Sequence, residues 1–262
     1  MKALILAAGY GRRLRPITNS IPKCMVEVGG VPLLERTLNY LVELGVKDVA
    51  IVVGHLADYI RARVGSTWRG ANITYYENSR YLETNNVVSF YRAMPFFDDD
   101  LLMLECDLYY RKEILQALLE SEGDCSILVS PFDPERMDGS VVFADQGRAA
   151  ELVLGKWQTS GVDYSNALKT VNMYRFSKAF LQKFATLVEW YVNNMGENSY
   201  YEKALGAMIY LRENDVRVVN VSPDSWLEID QVSDLNLKII IKANTSLDEL
   251  FLVLLLLLES FT

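Results

Sequence analysis

The residues best suited to chemistry stand in three places along the chain. The first is Leu6-Ala7-Ala8-Gly9-Tyr10-Gly11-Arg12-Arg13-Leu14, directly after a short apolar run. Small residues at Ala7, Ala8 and Gly9 let a nucleoside lie against bare backbone. Gly9 and Gly11 permit backbone angles that turn N–H groups inward on phosphates. Arg12 and Arg13 add charge-assisted donors. Pro16, Thr18 and then Pro22-Lys23 follow. Lys23 is a compact point charge, suited to a triphosphate and to the charge that grows in a phosphoryl-transfer transition state. The loop is not a dinucleotide fingerprint, because G-x-G-x-x-G would need glycine where Leu14 stands, and it lacks the G-K-[ST] of a Walker A loop.

The second and third places carry acids. Asp107 follows the apolar run Leu101–Leu104, at the carboxyl end of an expected strand, where ligand and metal groups gather in open α/β sheets. Trp226-Leu227-Glu228-Ile229-Asp230 offers two more. Residues i and i+2 of a strand share a face, so Glu228 and Asp230 can face a site while Leu227 and Ile229 pack away. Mg²⁺ takes one or two carboxylates plus phosphate oxygens, so Asp107 and Asp230 suffice as ligands. The competing reading, acids that cap loops on an acidic surface, loses ground once the glycine loop is considered beside them.

The elements that must hold these residues follow from periodicity. Lys2–Ala8, Val49–Val53, Ile73–Tyr76 and Leu101–Leu104 read as strands, and Pro32–Leu44, Ala57–Val64, Asn86–Met94 and Lys112–Glu120 as helices. This alternation predicts an α/β fold with a doubly wound, mostly parallel, Rossmann-like sheet. The second half is less regular and is expected to bind the acceptor. Ser126–Ser130, Ser140–Phe143, Thr170–Arg175, Val216–Val221 and Trp226–Ile229 suit strands, and Ser177–Val192 and Tyr200–Arg212 suit helices.

Residues 1–236 thus form one expected domain. A leucine-rich tail, 237–262, follows it, unbrokenly apolar from Leu250 to Leu258. That stretch is far short of the ~20 residues of a membrane span. It is expected to be a helix packed on its own domain, on a second copy as a homodimer contact, or on a partner domain.

Of the 262 residues 50% are hydrophobic, enough for a sizeable core, and the net charge of −8 argues against nucleic acid as a partner and for small molecules. Three scattered cysteines indicate neither a disulfide framework nor a zinc cluster, and His55, the only histidine, excludes a His-rich metal site. With no cationic segment ahead of an apolar one, the chain is expected in the cytoplasm.

The pattern L-A-A-G-x-G-x-R-L-x-P-x-T-x-x-x-P-K, met at Leu6, Ala7, Ala8, Gly9, Gly11, Arg13, Leu14, Pro16, Thr18, Pro22 and Lys23, resembles the signature of the sugar-nucleotide and choline-phosphate nucleotidyltransferase superfamily. Arg12 departs from it, standing where the superfamily usually has Ser or Thr. Tyr81, Thr84, Asn85, Asn86 and Ser89, then Lys169-Thr170-Val171-Asn172, Tyr200-Tyr201-Glu202 and the W-L-E-I-D run, look like the choline-phosphate and 2-aminoethylphosphonate cytidylyltransferase branch. Some of those phosphonate enzymes are fused to an aminotransferase, which would begin where the tail stands.

The resemblance implies transfer of CMP from CTP to a small amino-alcohol phosphate or phosphonate, with Mg²⁺ as cofactor and Lys23, Arg13, Asp107 and Asp230 as catalytic residues. It implies a nucleotide site at Leu6, Ala7, Ala8, Gly9, Gly11, Arg12, Asn85, Asn86 and Ser89, with Thr84 or Asn85 as an equally good helix cap. For the acceptor, an ammonium would rest on aromatic faces beside a carboxylate. Tyr109, Tyr110, Trp157, Tyr200, Tyr201 and Trp226 with Glu202 and Glu228 are the candidates, and core packing is the other reading of each ring. Lys156 and Lys169 could hold the acceptor's phosphoryl group or be solvated surface lysines. The rival readings are a sugar-1-phosphate or inositol-1-phosphate nucleotidyltransferase, and a non-catalytic nucleotide-sensing subunit, which would be expected to lose Lys23 or the acids.

Overall fold

The structure is a computed structural model that describes residues 1–135 and 137–236; the expectations for the 237–262 tail lie outside the described residues. Strand β1 (Lys2–Ala7) is apolar on both faces, as a central parallel strand must be. A hairpin of β2 (Glu27–Val28) and β3 (Val31–Pro32) leads into α1 (Leu33–Glu43), which buries Leu34, Leu38 and Leu41 at helical spacing. Then come β4 (Asp48–Val53), α2 (Ala57–Val64), β5 (Thr67–Trp68), β6 (Ala71–Glu77), α3 (Asn86–Arg92), β7 (Leu101–Glu105), β8 (Leu108–Tyr110) and α4 (Lys112–Leu119). The second half holds β9 (Cys125–Pro131), β10 (Val141–Asp145), β11 (Arg148–Val153), β12 (Leu168–Phe176), α5 (Lys178–Met195), α6 (Glu202–Leu211), β13 (Val216–Asn220) and β14 (Trp226–Glu228).

One large sheet runs in the order β10-β11-β13-β9-β12-β7-β1-β4-β6-β5. Its strands β7, β1, β4 and β6 are parallel, with Ile5 facing Ile51 on one side and Leu104 on the other. Their carboxyl ends therefore share one edge, which brings the glycine loop after β1 beside the turn after β7. Alternate residues of β1 face opposite cores. Leu4 and Leu6 pack with α3, α5 and α6, while Ala3, Ile5 and Ala7 pack with α1, α2 and α4.

The expectation of a mostly parallel sheet fails beyond β7. β12 runs antiparallel to both β7 and β9, and β10 pairs with β11 and β12. Strands β10, β11, β13, β9 and β12 thereby close into a ring. For β10 and β11 the reason is local: Gln146 and Gly147 both take positive φ (48° and 78°), a tight turn that sends β11 straight back along β10. A helical crossover, which a parallel neighbour would need, is absent there.

A separate ribbon matters most for the chemistry. β8 and β14 pair antiparallel, with Leu108 opposite Glu228, and the Ile229 N–H donates to the Asp107 carbonyl at 2.8 Å. Residues more than a hundred positions apart are thus joined at the carboxyl edge of the sheet.

Candidate active site

Gly11 lies in the left-handed region at φ +65°, and a Cβ there would meet Thr18 Cγ2 at 3.0 Å and Lys23 Cβ at 3.1 Å. Glycine is what lets the loop cross over the Lys23 stem. Leu14 anchors the loop from below, fully buried with Val28, Leu33, Tyr109 and Ile229. The Lys23 side chain is then only 13% exposed, and its Nζ lies 2.8 Å from Asp107 Oδ2 and 2.5 Å from Asp230 Oδ1. Arg13 donates to the other Asp230 oxygen at 2.7 Å. Burial opposes the Lys23 charge, but Asp107 and Asp230 outweigh it and hold the ammonium well above its ordinary range. Burial likewise works against Asp230 ionising, and Lys23 overcomes it, so this carboxyl is held low. Asp234 Oδ2 accepts from the Asp230 and Gln231 N–H groups, both at 2.8 Å, and fixes the turn that presents Asp230.

Two cavities meet at this centre. One, about 210 Å³, is lined by Leu6, Ala8, Gly9, Asn78, Asn85 and Ser89 among others, and the second, about 520 Å³, by residues that include Arg13, Lys169, Tyr200, Glu202, Glu228 and Asp230; Lys23, Asn86, Glu105 and Asp107 line both. The smaller cavity gathers most of the expected nucleotide residues. Asn85 caps α3 by accepting from the Asn86 N–H at 2.9 Å, and buried Ser89 accepts from Asn78 at 3.2 Å. Three expectations fail here. Gly11 lines neither cavity and shapes the loop instead. Ala7 points into the opposite core, because β1 alternates its faces, and Arg12 is exposed and lines neither cavity.

The larger cavity is lined by charge. Lys169 is 2% exposed, so it is no solvated surface lysine; it donates to Glu228 Oε1 at 3.1 Å and to the Thr170 carbonyl at 2.8 Å. Asn172, at φ +57°, donates to the same Glu228 oxygen at 3.0 Å. Asn86 Nδ2 reaches Glu202 Oε2 at 3.2 Å and Glu105 Oε1 at 3.4 Å, and the Tyr201 hydroxyl donates to Glu105 at 2.9 Å. Burial first, and Asp107 second, push Glu105 up to about 8. Burial also raises Glu202, opposed by hydrogen bonds to it and by the Lys169 and Lys156 charges, and raises Glu228, opposed by Lys169.

The aromatic expectations are corrected in part. Tyr109 lines neither cavity; it packs among Leu14 and Ile229 with the Arg36 guanidinium 4.7 Å over its ring. Tyr110 is buried against Thr37, and the Tyr201 ring packs in the core with only its hydroxyl turned to the site. Tyr200 lines the cavity with Lys156 Nζ 4.7 Å over its face, exposed Trp157 lies between Lys156 and Lys203 at 5.9 and 5.3 Å, and buried Trp226 has Lys169 at 5.6 Å. These ring faces already carry the chain's own ammonium groups. Glu105, Asn78 and Asp234 are additions of the structure, and Asn172, which the sequence offers only as part of a motif, gains a partner in Glu228. Glu105 was the most readable of them, since it stands two residues before Asp107 at the end of the same strand.

Set beside known proteins, the chain matches the MobA-like NTP transferase domain over residues 3–189. It is 32% identical to the CMP-5'-(3-aminopropyl)phosphonate synthase of Streptomyces rubellomurinus, over 89% of this chain and 37% of that protein, so it spans little more than a third of that relative's length. With the CTP:phosphoglutamine cytidylyltransferase of Campylobacter jejuni it shares 29% identity over 91% of this chain and 99% of that one. Choline-phosphate and 2-aminoethylphosphonate cytidylyltransferases are among its other relatives. The solved inositol-1-phosphate CTP transferase of T. maritima is alike in fold, with a TM-score of 0.73 at 23% identity, covering 94% of this chain and 97% of that one. The chain belongs to the MobA-like NTP transferase family.

Proposed function

We propose that this protein transfers CMP from CTP to a small phosphate- or phosphonate-bearing acceptor and releases pyrophosphate. The observation that carries this reading is Lys23, held between Asp107 and Asp230 where the two cavities meet. The smaller cavity, walled by bare backbone and neutral side chains away from the Lys23, Glu105 and Asp107 border, suits a nucleoside. The larger, charged cavity suits a polar acceptor. Kinship with several cytidylyltransferases supports CTP as the donor.

In this mechanism an oxygen of the acceptor's phosphate or phosphonate attacks the α-phosphorus of CTP in line. The new P–O bond forms as the bond to the bridging oxygen breaks, and that oxygen leaves with pyrophosphate. The attacking oxygen is already anionic, so no general base is needed. The protein supplies position and charge. Lys23 and Arg13 place two cations beside the reacting phosphates, and the loop after β1 offers N–H groups.

Asp107 and Asp230 fit a divalent cation. Asp107 Oδ1 is buried without a hydrogen-bond partner, and two carboxylates with phosphate oxygens satisfy Mg²⁺. Bound there, Mg²⁺ would neutralise charge on the triphosphate and the leaving pyrophosphate.

The test is pyrophosphate release across CTP, UTP, ATP and GTP, each with 2-aminoethylphosphonate, phosphocholine, inositol-1-phosphate and glucose-1-phosphate. Turnover with CTP and an amino-bearing acceptor is expected. Faster turnover with a sugar-1-phosphate or with inositol-1-phosphate would reassign the acceptor, and turnover with none of them would refute the reading.

A further inference from the structure

His55, the chain's only histidine, lines neither cavity. It stands just past β4, buried at 8% exposure, and meets the glycine loop at three points. Its backbone N–H donates to the Ala8 carbonyl at 3.2 Å. Its ring packs edge-on against Tyr10, with centroids 4.3 Å apart and planes at 79°. Its Nε2 lies 2.9 Å from the Thr18 carbonyl. A carbonyl only accepts, so Nε2 carries the hydrogen and donates. Thr18 passes the restraint on, since its hydroxyl donates to the Gly11 carbonyl at 2.8 Å. Gly54 delivers the histidine: a Cβ there would meet the Ala8 carbonyl oxygen at 2.8 Å, so only glycine lets the end of β4 come this close to the loop.

These contacts grip Ala8, Tyr10 and Thr18, on both sides of Gly9 and Gly11. Between them the loop has no long element of its own, only the short 3₁₀ turns Arg12–Leu14 and Ile17–Asn19. Such a loop must be ordered when its N–H groups close on a phosphate chain, and that ordering subtracts from affinity unless the shape is held beforehand. The His55 ring also reaches Tyr81, at 5.8 Å between centroids, and Tyr81 lines the smaller cavity. We propose that His55 is a positioning residue, which holds the glycine loop in its nucleotide-binding shape before CTP arrives and does so through the Nε2 hydrogen bond to Thr18. This inference rests on the CMP-transfer reading and adds to it the residue that prepares the nucleotide side.

The experiment is amide hydrogen exchange over residues 9–18 of the full chain without nucleotide, followed by calorimetric titration with CTP and Mg²⁺. Wild type, His55→Leu and His55→Gln are compared, because glutamine places a side-chain N–H at the reach of Nε2. In the free protein the loop is expected to exchange at least about tenfold faster in His55→Leu than in the wild type, and His55→Gln should restore slow exchange. CTP should bind about tenfold more weakly to His55→Leu, the weight of one buried hydrogen bond, and within about threefold of wild type to His55→Gln. A histidine that merely fills space would give the opposite pattern, with leucine tolerated and no rescue by glutamine. Unchanged exchange or affinity in His55→Leu, failure of glutamine to rescue, or a wild-type loop that exchanges freely until CTP is added would each overturn the proposal. The last is read on the wild type alone, so it decides even where His55→Leu does not fold. No CTP binding by the wild type would instead refute the CMP-transfer reading, while the exchange comparison still decides whether His55 holds the loop.

Discussion

Lys23, Asn86, Glu105 and Asp107 border both sides; beyond them the nucleotide side is walled by backbone and neutral side chains, whereas the acceptor side gains charges, among them Lys156, Lys169, Glu202 and Glu228. Apart from the residues that border both sides and Cys106, the nucleotide side comes from two short stretches, residues 6–9 at the end of β1 and residues 78–89 after β6, two parallel strands with β4 between them. The acceptor side draws Glu105, Lys169, Asn172, Glu202 and Glu228 from four distant segments. A base and ribose need shape and a few neutral contacts. A small ionic acceptor must be recognised by charges, and those charges must be balanced while the cavity waits.

The largest expected effect lies where the two sides touch. Asp107→Ala or Asp230→Ala should abolish turnover, and the wild type should lose it in excess chelator. Circular dichroism should show the variants folded, since each leaves Lys23 one carboxylate partner. Full activity in chelator would remove the metal from the account.

A smaller effect is expected from the charge balance of the acceptor side. Glu228→Gln leaves Lys169 buried with no carboxylate in contact. Breaking a pair this way costs on the order of 3 kcal/mol, seen as a lower denaturant midpoint with the slope unchanged. Wild-type stability would mean that Lys169 does not need the pair. The smallest effect should come from Trp157→Ala. The ring is 51% exposed and holds only lysine side chains, so stability should stay within about 0.5 kcal/mol of wild type by thermal melting. A larger loss would show that this face packs more tightly than its exposure implies.

The same contrast explains what could be read in the sequence. The glycine loop directly follows β1, a strand with a strong apolar signal, so its place is legible from the sequence, whereas Asn85, Asn86 and Ser89 are reached through the resemblance to the cytidylyltransferase branch. What brings Asp107 to Asp230 is the β8–β14 ribbon; the sequence predicts β14 as the strand Trp226–Ile229, but β8, three residues long, is too short for periodicity to register. β11 was missed for a related reason. Its sequence, Arg-Ala-Ala-Glu-Leu-Val, lacks the run of buried β-branched residues that marks a central strand, and only the Gln146-Gly147 turn betrays it. With β11 unseen, the closed ring of the second half could not be foreseen. Tyr109 was misassigned because aromatic type does not tell a core ring from a pocket ring; its place on the ribbon turns it towards Leu14.

The central claim is that Lys23, set between Asp107 and Asp230, is the charge around which the reaction is organised. It is tested most directly by measuring kcat for pyrophosphate release from CTP in the wild type and in Lys23→Ala, at saturating acceptor and with melting temperature followed in parallel. Loss of one preorganised charge is worth ~3 kcal/mol in the transition state, so a fall in kcat on the order of a hundredfold with a folded variant is expected. A folded Lys23→Ala protein that turns over at close to the wild-type rate would contradict the account.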